Sequence, residues 1–387
     1  MKLSEKIGKV APSVTLAITS KAKEMLSKGE DVIVLAAGEP DFDTPEIVKN
    51  AAIKAINDGY TKYTPAGGSK ELKEAICCKL NKDNNLKYKP SEVVVSNGAK
   101  HSIYNVLQVI CNPGDEVIVV SPYWLSYPEM VVLAGATPKI IKTEKANGFR
   151  VTVEQVKEVV NKNTRAVILN SPSNPAGVVY NETELSEIAD FCVSNGIMII
   201  SDEIYEKIIF DGEKHSSIAG LSDEVKSFTV VVNGLSKSHS MTGWRVGYMA
   251  ADESIAKMVT TLQSHSTSNP CSISQAAAVC ALTTDLDKEI LKNAEEFQKR
   301  RDFLVKSLSE SKKLVPFNPA GAFYLFCDIS ACGIDSLSFA QNLLRDKKTA
   351  VIPGKPFGHD DFIRISFATD METLKEGAER IKEWIGS

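Results

Sequence analysis

The 387-residue sequence predicts an α/β protein, with a large doubly wound, mostly parallel sheet domain and a smaller α+β domain built from both chain ends. Three observations carry that expectation. Short unbroken runs of Val and Ile alternate with amphipathic helical stretches from about 91 to 251, the pattern of strands covered on both faces. A long charged helical stretch at 285–310 then interrupts the alternation, and strand signals resume beyond it at wider spacing. The length itself suits two domains at roughly 100–200 residues each.

The elements follow in chain order. A helix at 13–29 and a strand at 32–35 precede the alternating region and are expected to pack with the C-terminal part. SEVVVS at 91–96 reads as a buried strand, and 99–111 as a helix begun after the Asn97-Gly98 turn. Strands at 116–120, 138–142, 165–170 and 197–201 are separated by helices at 123–134, 153–160 and 182–195. FTVVV at 228–232 and the stretch 246–251 complete the sheet, and helices follow at 252–265 and 271–282. The smaller domain takes its strands from 323–326, 350–352 and 362–366. We set the large domain at 46–285 and the small one at 1–45 plus 286–387.

Composition narrows the function. Lys and Arg total 45 against 49 Asp and Glu, a net charge of −4 with no basic excess for a nucleic-acid partner. The 43% apolar content argues against disorder. Eight cysteines are scattered without a C-x-x-C pair, and five histidines form no ligand spacing, so neither disulfides nor a metal is expected. The opening MKLSEKIGKV lacks an apolar signal core, and no run reaches the ~18 apolar residues of a membrane span. A cytoplasmic location without membrane contact is the expectation. No G-x-G-x-x-G follows a strand, and Gly354-Lys355 runs into Pro356, so nicotinamide and ATP readings have little support.

Reactive residues in such a sheet belong just beyond the strands' carboxyl ends. The densest stretch there, Asn233 to Gly247, contains Ser236-Lys237-Ser238 and Arg245 after the VVV strand. Burial and a nearby cation favour a neutral lysine, the form needed for Schiff-base chemistry, and small neighbours leave an aldehyde room to approach. Other strand ends carry Asn97-Gly98-Ala99-Lys100, Ser121-Pro122-Tyr123-Trp124, Ser171 to Gly177 with Asn174-Pro175, and Asp202-Glu203-Ile204-Tyr205. Alone, these read equally well as ordinary turns, a helix cap beside a packed tyrosine, and a core tryptophan. Arg364, flanked by Ile363 and Ile365 in FIRIS, faces one side of its strand, as a carboxylate clamp or as an edge residue in water.

The pattern G-x-S-K-x-x-S-M-x-G-x-R-x-G around Lys237 resembles the lysine signature of class I aminotransferases, pyridoxal-phosphate enzymes of fold type I. The similarity runs from Pro12 to the C-terminal strand and is strongest to bacterial aspartate aminotransferases. It implies pyridoxal 5'-phosphate joined to Lys237, which also shuttles the proton. It further implies Asp202 at the ring nitrogen, Tyr205 and Asn174 at the ring oxygen, and Trp124 stacked on the ring. Gly98, Ala99, Lys100, Ser236 and Arg245 would surround the phosphate, and Tyr63 would reach the partner subunit's phosphate in a homodimer with shared active sites. For the amino-acid and 2-oxo-acid substrates it implies Arg364 on the α-carboxylate, with Asn174, Trp124 and the Gly38 turn beside it. The family's N-P-x-G loop also implies a cis Asn174–Pro175 bond.

Two departures bear on this reading. The stretch 264–270 has no arginine for a distal carboxylate, which leaves Lys100 for that group, and Gly234 stands where some members have serine. The implied activity is transamination of L-aspartate with 2-oxoglutarate. The alternatives are aromatic, alanine or prephenate transamination, a β-eliminating lyase of the same fold, and an aminotransferase-like regulator.

Overall fold

The computed structural model describes residues 4–12 and 14–386. Its strands are β1 (Ile33–Val34), β2 (Val93–Ser96), β3 (Glu116–Ser121), β4 (Thr137–Lys142), β5 (Thr164–Asn170), β6 (Met198–Asp202), β7 (Thr229–Gly234) and β8 (Gly247–Ala250). They continue with β9 (Val315–Phe317), β10 (Tyr324–Asp328), β11 (Thr349–Ala350), β12 (Ile352–Pro353) and β13 (Phe362–Ser366).

Seven strands form the large sheet in the order β2-β8-β7-β6-β5-β3-β4. Only β8 runs against its neighbours; the other pairings are parallel. The 235–246 connection folds into turns rather than a crossover helix, so the chain returns antiparallel beside β7. Alternate residues of one strand enter different cores, as a doubly covered sheet requires. Val94 packs with Ile103, Val106 and Val259, whereas Val93 and Val95 pack with Leu72, Ile76 and Ala277.

The smaller sheet is antiparallel, in the order β12-β13-β10-β9. Beside it β1 pairs in parallel with β11, Ile33 opposite Thr349, which ties the N-terminal segment to the C-terminal one. The opening helix spans Val14–Ser27; its expected first residue, Ser13, lies outside the described residues. Helices Glu46–Asn57 and Lys70–Asn84 precede the first Val-rich strand and pack on helix Ser272–Thr283.

Several boundaries differ from expectation. The helix expected at 123–134 begins only at Ser126; before it the Tyr123 N–H is held by the Phe357 carbonyl at 3.2 Å, and the Tyr127 N–H closes a tight turn on Trp124 O at 2.9 Å. The strand expected at 228–232 extends to Gly234, since pairing with β8 carries the ladder to Gly234 opposite Gly247. Arg364 is not an edge residue: β13 lies between β12 and β10, and Arg364 is opposite both Ile352 and Phe326. No helix among the described residues is long and apolar enough to cross a membrane.

Candidate active site

The carboxyl ends of β2, β3, β5, β6 and β7 lie along one side of the large sheet, and nearly all the singled-out residues follow them. After β2 the chain turns through Gly98 at φ 87° into helix Ala99–Ile110, with the Asn97 N–H held by His101 Nδ1 at 3.2 Å. The first N–H groups of that helix, at Ala99 and Lys100, have no partner within it and form a positive cup. Arg245 closes one side, its guanidinium donating to Asn97 O at 3.1 Å and Thr242 O at 3.0 Å. A Cβ on Gly98 would lie 2.6 Å from Arg245 Nη2, so only glycine admits that approach. Gly247 is equally constrained, since a Cβ there would lie 2.1 Å from Ala99 N.

The Gly234 departure has a steric explanation. A Cβ there would meet Gly247 Cα at 2.9 Å and Val246 O at 3.0 Å. Glycine is what allows β7 and β8 to close beside the lysine loop. Ser236 is buried immediately before Lys237.

Lys237 donates from Nζ to Gly38 O at 2.5 Å. Its ammonium sits 5.8 Å from the Tyr205 ring and 5.7 Å from the Phe323 ring. Burial pulls its pKa down to about 8; Arg364 and Arg245 push the same way, and Glu39 and Asp202 oppose. Asp202 is 3% exposed. Its carboxylate accepts from Tyr127 Oη at 2.6 Å and from the Ile204 N–H at 3.2 Å. Burial raises it to about 6, and those two bonds restrain the rise. It ends β6 and caps no helix, so the helix-cap alternative does not hold.

A second chain of contacts joins Asp202 to Arg364. Asn170 Nδ2 donates to the Asp202 carbonyl at 2.8 Å, and Asn170 Oδ1 accepts from the Asn174 N–H at 2.9 Å. Arg364 Nη1 then donates to Asn174 Oδ1 at 3.0 Å, and Nη2 to Ala36 O at 3.3 Å. Arg364 Nε is buried without a partner, a donor left over for a ligand. The Asn174–Pro175 bond is cis, as expected. Ser121–Pro122 and Ser171–Pro172 are also cis, which was not anticipated. Tyr205 Oη lies 2.9 Å from Tyr324 Oη, and burial raises both phenols, so they remain hydroxyl donors.

Lys100 lays its ammonium 4.8 Å from the Trp124 ring, and Trp124 meets Tyr127 edge-on at 5.3 Å. Partial burial, and then Arg245, lowers the Lys100 pKa. Tyr63 is the residue that does not join the group: it stands 91% exposed on its loop.

Three contributors escaped the sequence reading: Tyr127, Asn170 and Tyr324. Asn170 is the last residue of β5 and so met the positional criterion applied to the others. Tyr324 is two residues from Phe326, Arg364's cross-strand partner, and its ring lies 4.3 Å from the guanidinium. Tyr127 had no local signal beyond lying one helical turn after Trp124.

Together these groups offer a cationic N–H cup for a dianion, an amine of reduced basicity, a buried carboxylate, paired phenols and an underused guanidinium. Residues 30–381 match the family model described as aminotransferase class I and II. The aspartate aminotransferase of Bacillus subtilis (strain 168) is 46% identical over 390 residues, covering 100% of this chain and 99% of that protein. A probable aspartate/prephenate aminotransferase of Aquifex aeolicus (strain VF5) is 46% identical over 388 residues, covering 98% of each. The solved aspartate aminotransferase from Thermus thermophilus with maleate has a TM-score of 0.95 at 38% identity, covering 99% of both chains.

Proposed function

Since the chain belongs to the class I and II aminotransferase family, we propose that it transfers the amino group of L-aspartate to 2-oxoglutarate, giving oxaloacetate and L-glutamate. In this reading it works with pyridoxal 5'-phosphate as a cytoplasmic homodimer. The observation that carries the reading is the convergence of Lys237, Asp202, Asn174 and Arg364 beside the Gly98–Arg245 cup.

The donor set fits the cofactor. The Ala99 and Lys100 N–H groups, Ser236 and Arg245 suit a phosphate dianion, and the space that a Cβ on Gly98 would fill is what brings the guanidinium against the cup. Asp202, ionised at neutral pH with a pKa of about 6, would pair with a protonated ring nitrogen. Tyr205 and Asn174 would hydrogen-bond the ring oxygen, and Trp124 would cover a ring face. When bound, the cofactor supplies an aldehyde to take up the amino group and a ring that withdraws electrons from the substrate Cα.

The remaining work is done by this chain. Arg364 binds the α-carboxylate with its free Nε and with the Nη2 that now donates to Ala36 O, while Nη1 stays on Asn174 Oδ1. Lys100 meets the distal carboxylate, and the Gly38 turn lies against the substrate. Lys237 Nζ would take the proton from the substrate Cα and hold it for return. A pKa of about 8 leaves roughly a tenth of the amine neutral at pH 7, against less than about a thousandth for an ordinary lysine. Tyr63, exposed together with Ile47, Ile53 and Ile56 on the neighbouring helix, completes the partner's phosphate site.

Incubation with ¹⁵N-aspartate and 2-oxoglutarate tests the reading. It should yield ¹⁵N-glutamate and oxaloacetate in equal amounts. Pyruvate with stoichiometric free ammonium from an amino acid that carries a leaving group on Cβ, such as a cysteine thioether, would instead make the protein an eliminating lyase. Prephenate is the second amino acceptor to try, because the Aquifex relative of equal identity carries that name.

A further inference from the structure

Two glutamines outside the site are each fully enclosed, and every polar atom of their side chains is bonded. Gln263, on helix Glu253–Ser266, accepts at Oε1 from Ser96 Oγ at 2.8 Å and Asn105 Nδ2 at 3.1 Å. Its Nε2 donates to Ala66 O at 2.5 Å and Val95 O at 2.8 Å, which exhausts the capacity of a carboxamide. Gln275, on helix Ser272–Thr283, accepts from the Ser69 N–H at 2.7 Å and donates to Thr64 Oγ1 and Pro270 O, both at 2.9 Å.

Apart from Asn105 and Pro270, the groups they hold fall into two sets, and Gln263 alone holds both. Val95 and Ser96 end β2 directly before the Gly98 cup, whereas Thr64, Ala66 and Ser69 belong to the loop that carries Tyr63. The same loop is pressed onto β2 at Gly67 and Gly68. The Val95 N–H bonds Gly67 O at 2.9 Å, and a Cβ on Gly68 would lie 2.6 Å from Val95 Cγ2.

We propose that Gln263 is a positioning residue that locks the Tyr63 loop to this chain's own phosphate cup, with Gln275 bracing the same loop against Pro270, so that one buried clamp sets both the cup and the tyrosine lent to the partner. The inference rests on the reading of Tyr63 as a contributor to the partner's site. It gives these residues a role across the subunit boundary, although neither touches cofactor or substrate. A buried amide whose partners are this specific has no equivalent substitute, because each lost bond strands a buried donor or acceptor.

Heterodimers of two differently tagged full-length chains separate the possibilities. One chain carries Lys237→Ala, so only the other chain's site gives the lysine-dependent visible absorbance with pyridoxal phosphate. Placed on the Lys237→Ala chain, Gln263→Met should weaken pyridoxal phosphate binding at the unaltered chain's site by about tenfold, the scale of one misplaced bond to a charged group. Tyr63→Phe on that chain should do the same, and the two together should lose no more than either alone, since both act through one tyrosine. A full additive loss would mark Gln263 as mere packing and overturn the proposal. So would a silent Gln263→Met beside an effective Tyr63→Phe, with the Tyr63 reading left intact. If Tyr63→Phe is itself silent in trans, that reading fails and the clamp's cross-subunit role fails with it. Gln275→Met leaves Ser96 and Asn105 bonded, repeats the test if the first variant does not assemble, and is expected to act in the same direction.

Discussion

Replacing Asp202 with Asn should make the cofactor-free protein harder to unfold at neutral pH while making it a poorer enzyme. In the folded chain burial raises the carboxyl to about 6, with the Tyr127 and Ile204 bonds opposing. An unfolded aspartate titrates near ~3.9. Between these values the folded state holds the extra proton, so stability falls as pH rises through the window, and the full cost is present above it. Integration puts that cost at roughly 1 kcal/mol near pH 4.5 and roughly 3 kcal/mol at pH 8. Asn keeps an oxygen for the Ile204 N–H but presents an amide nitrogen to the Tyr127 hydroxyl, a loss of about 1 kcal/mol at any pH. Relative to the parent, the variant should therefore gain about 2 kcal/mol between those two pH values, passing from near neutral to stabilising. Urea unfolding of both cofactor-free proteins at each pH measures this directly. A constant offset between them would refute the argument, because it would mean that the buried carboxyl is not the group losing stability.

The other predictions concern single contacts. Tyr127→Phe removes the 2.6 Å bond that holds Asp202 down, so in the cofactor-free protein the upper end of the pH window over which stability is lost should move up by about one unit; an equal loss at every pH would show only lost packing. Lys100→Ala should lower kcat/KM for aspartate about 10–100-fold relative to alanine, and equal losses for both donors would remove Lys100 from the distal carboxylate. Gly234→Ser forces a Cβ within 2.9 Å of Gly247 Cα and should cost about 1–3 kcal/mol, read as a lower urea midpoint; an unchanged midpoint would mean that β7 and β8 separate freely.

Much of this architecture is legible in local sequence. The Val- and Ile-rich strands betray themselves because each is buried on both faces, as the split of Val93, Val94 and Val95 between two cores illustrates. Strand direction is less legible: β8 looks like its neighbours in composition, and only the turns of 235–246 reverse it. Strand partners are less legible than strands: β1 and β11 show as apolar runs at 32–35 and 350–352, but nothing local says that they pair with each other from opposite ends of the chain. In the site, residues at strand ends were found by position, Asn170 at the end of β5 excepted. Tyr127 and Tyr324 were not, because what marks them is a hydroxyl distance to Asp202 or Tyr205, set by tertiary packing. Gly234 inverts the lesson: what looked like a lost hydroxyl is a close approach that only the strand pairing reveals.

The central claim is that Lys237, with Asp202 and Arg364 around it, runs both halves of an amino transfer. The most direct test is the near-UV and visible spectrum of the purified protein loaded with pyridoxal phosphate, recorded with and without excess L-aspartate. The account predicts that aspartate alone bleaches the lysine-dependent band and raises a pyridoxamine band, that 2-oxoglutarate restores the first, and that Lys237→Ala does neither. A band indifferent to aspartate that answers another amino acid would contradict the substrate. No lysine-dependent band in the parent protein would contradict the site itself.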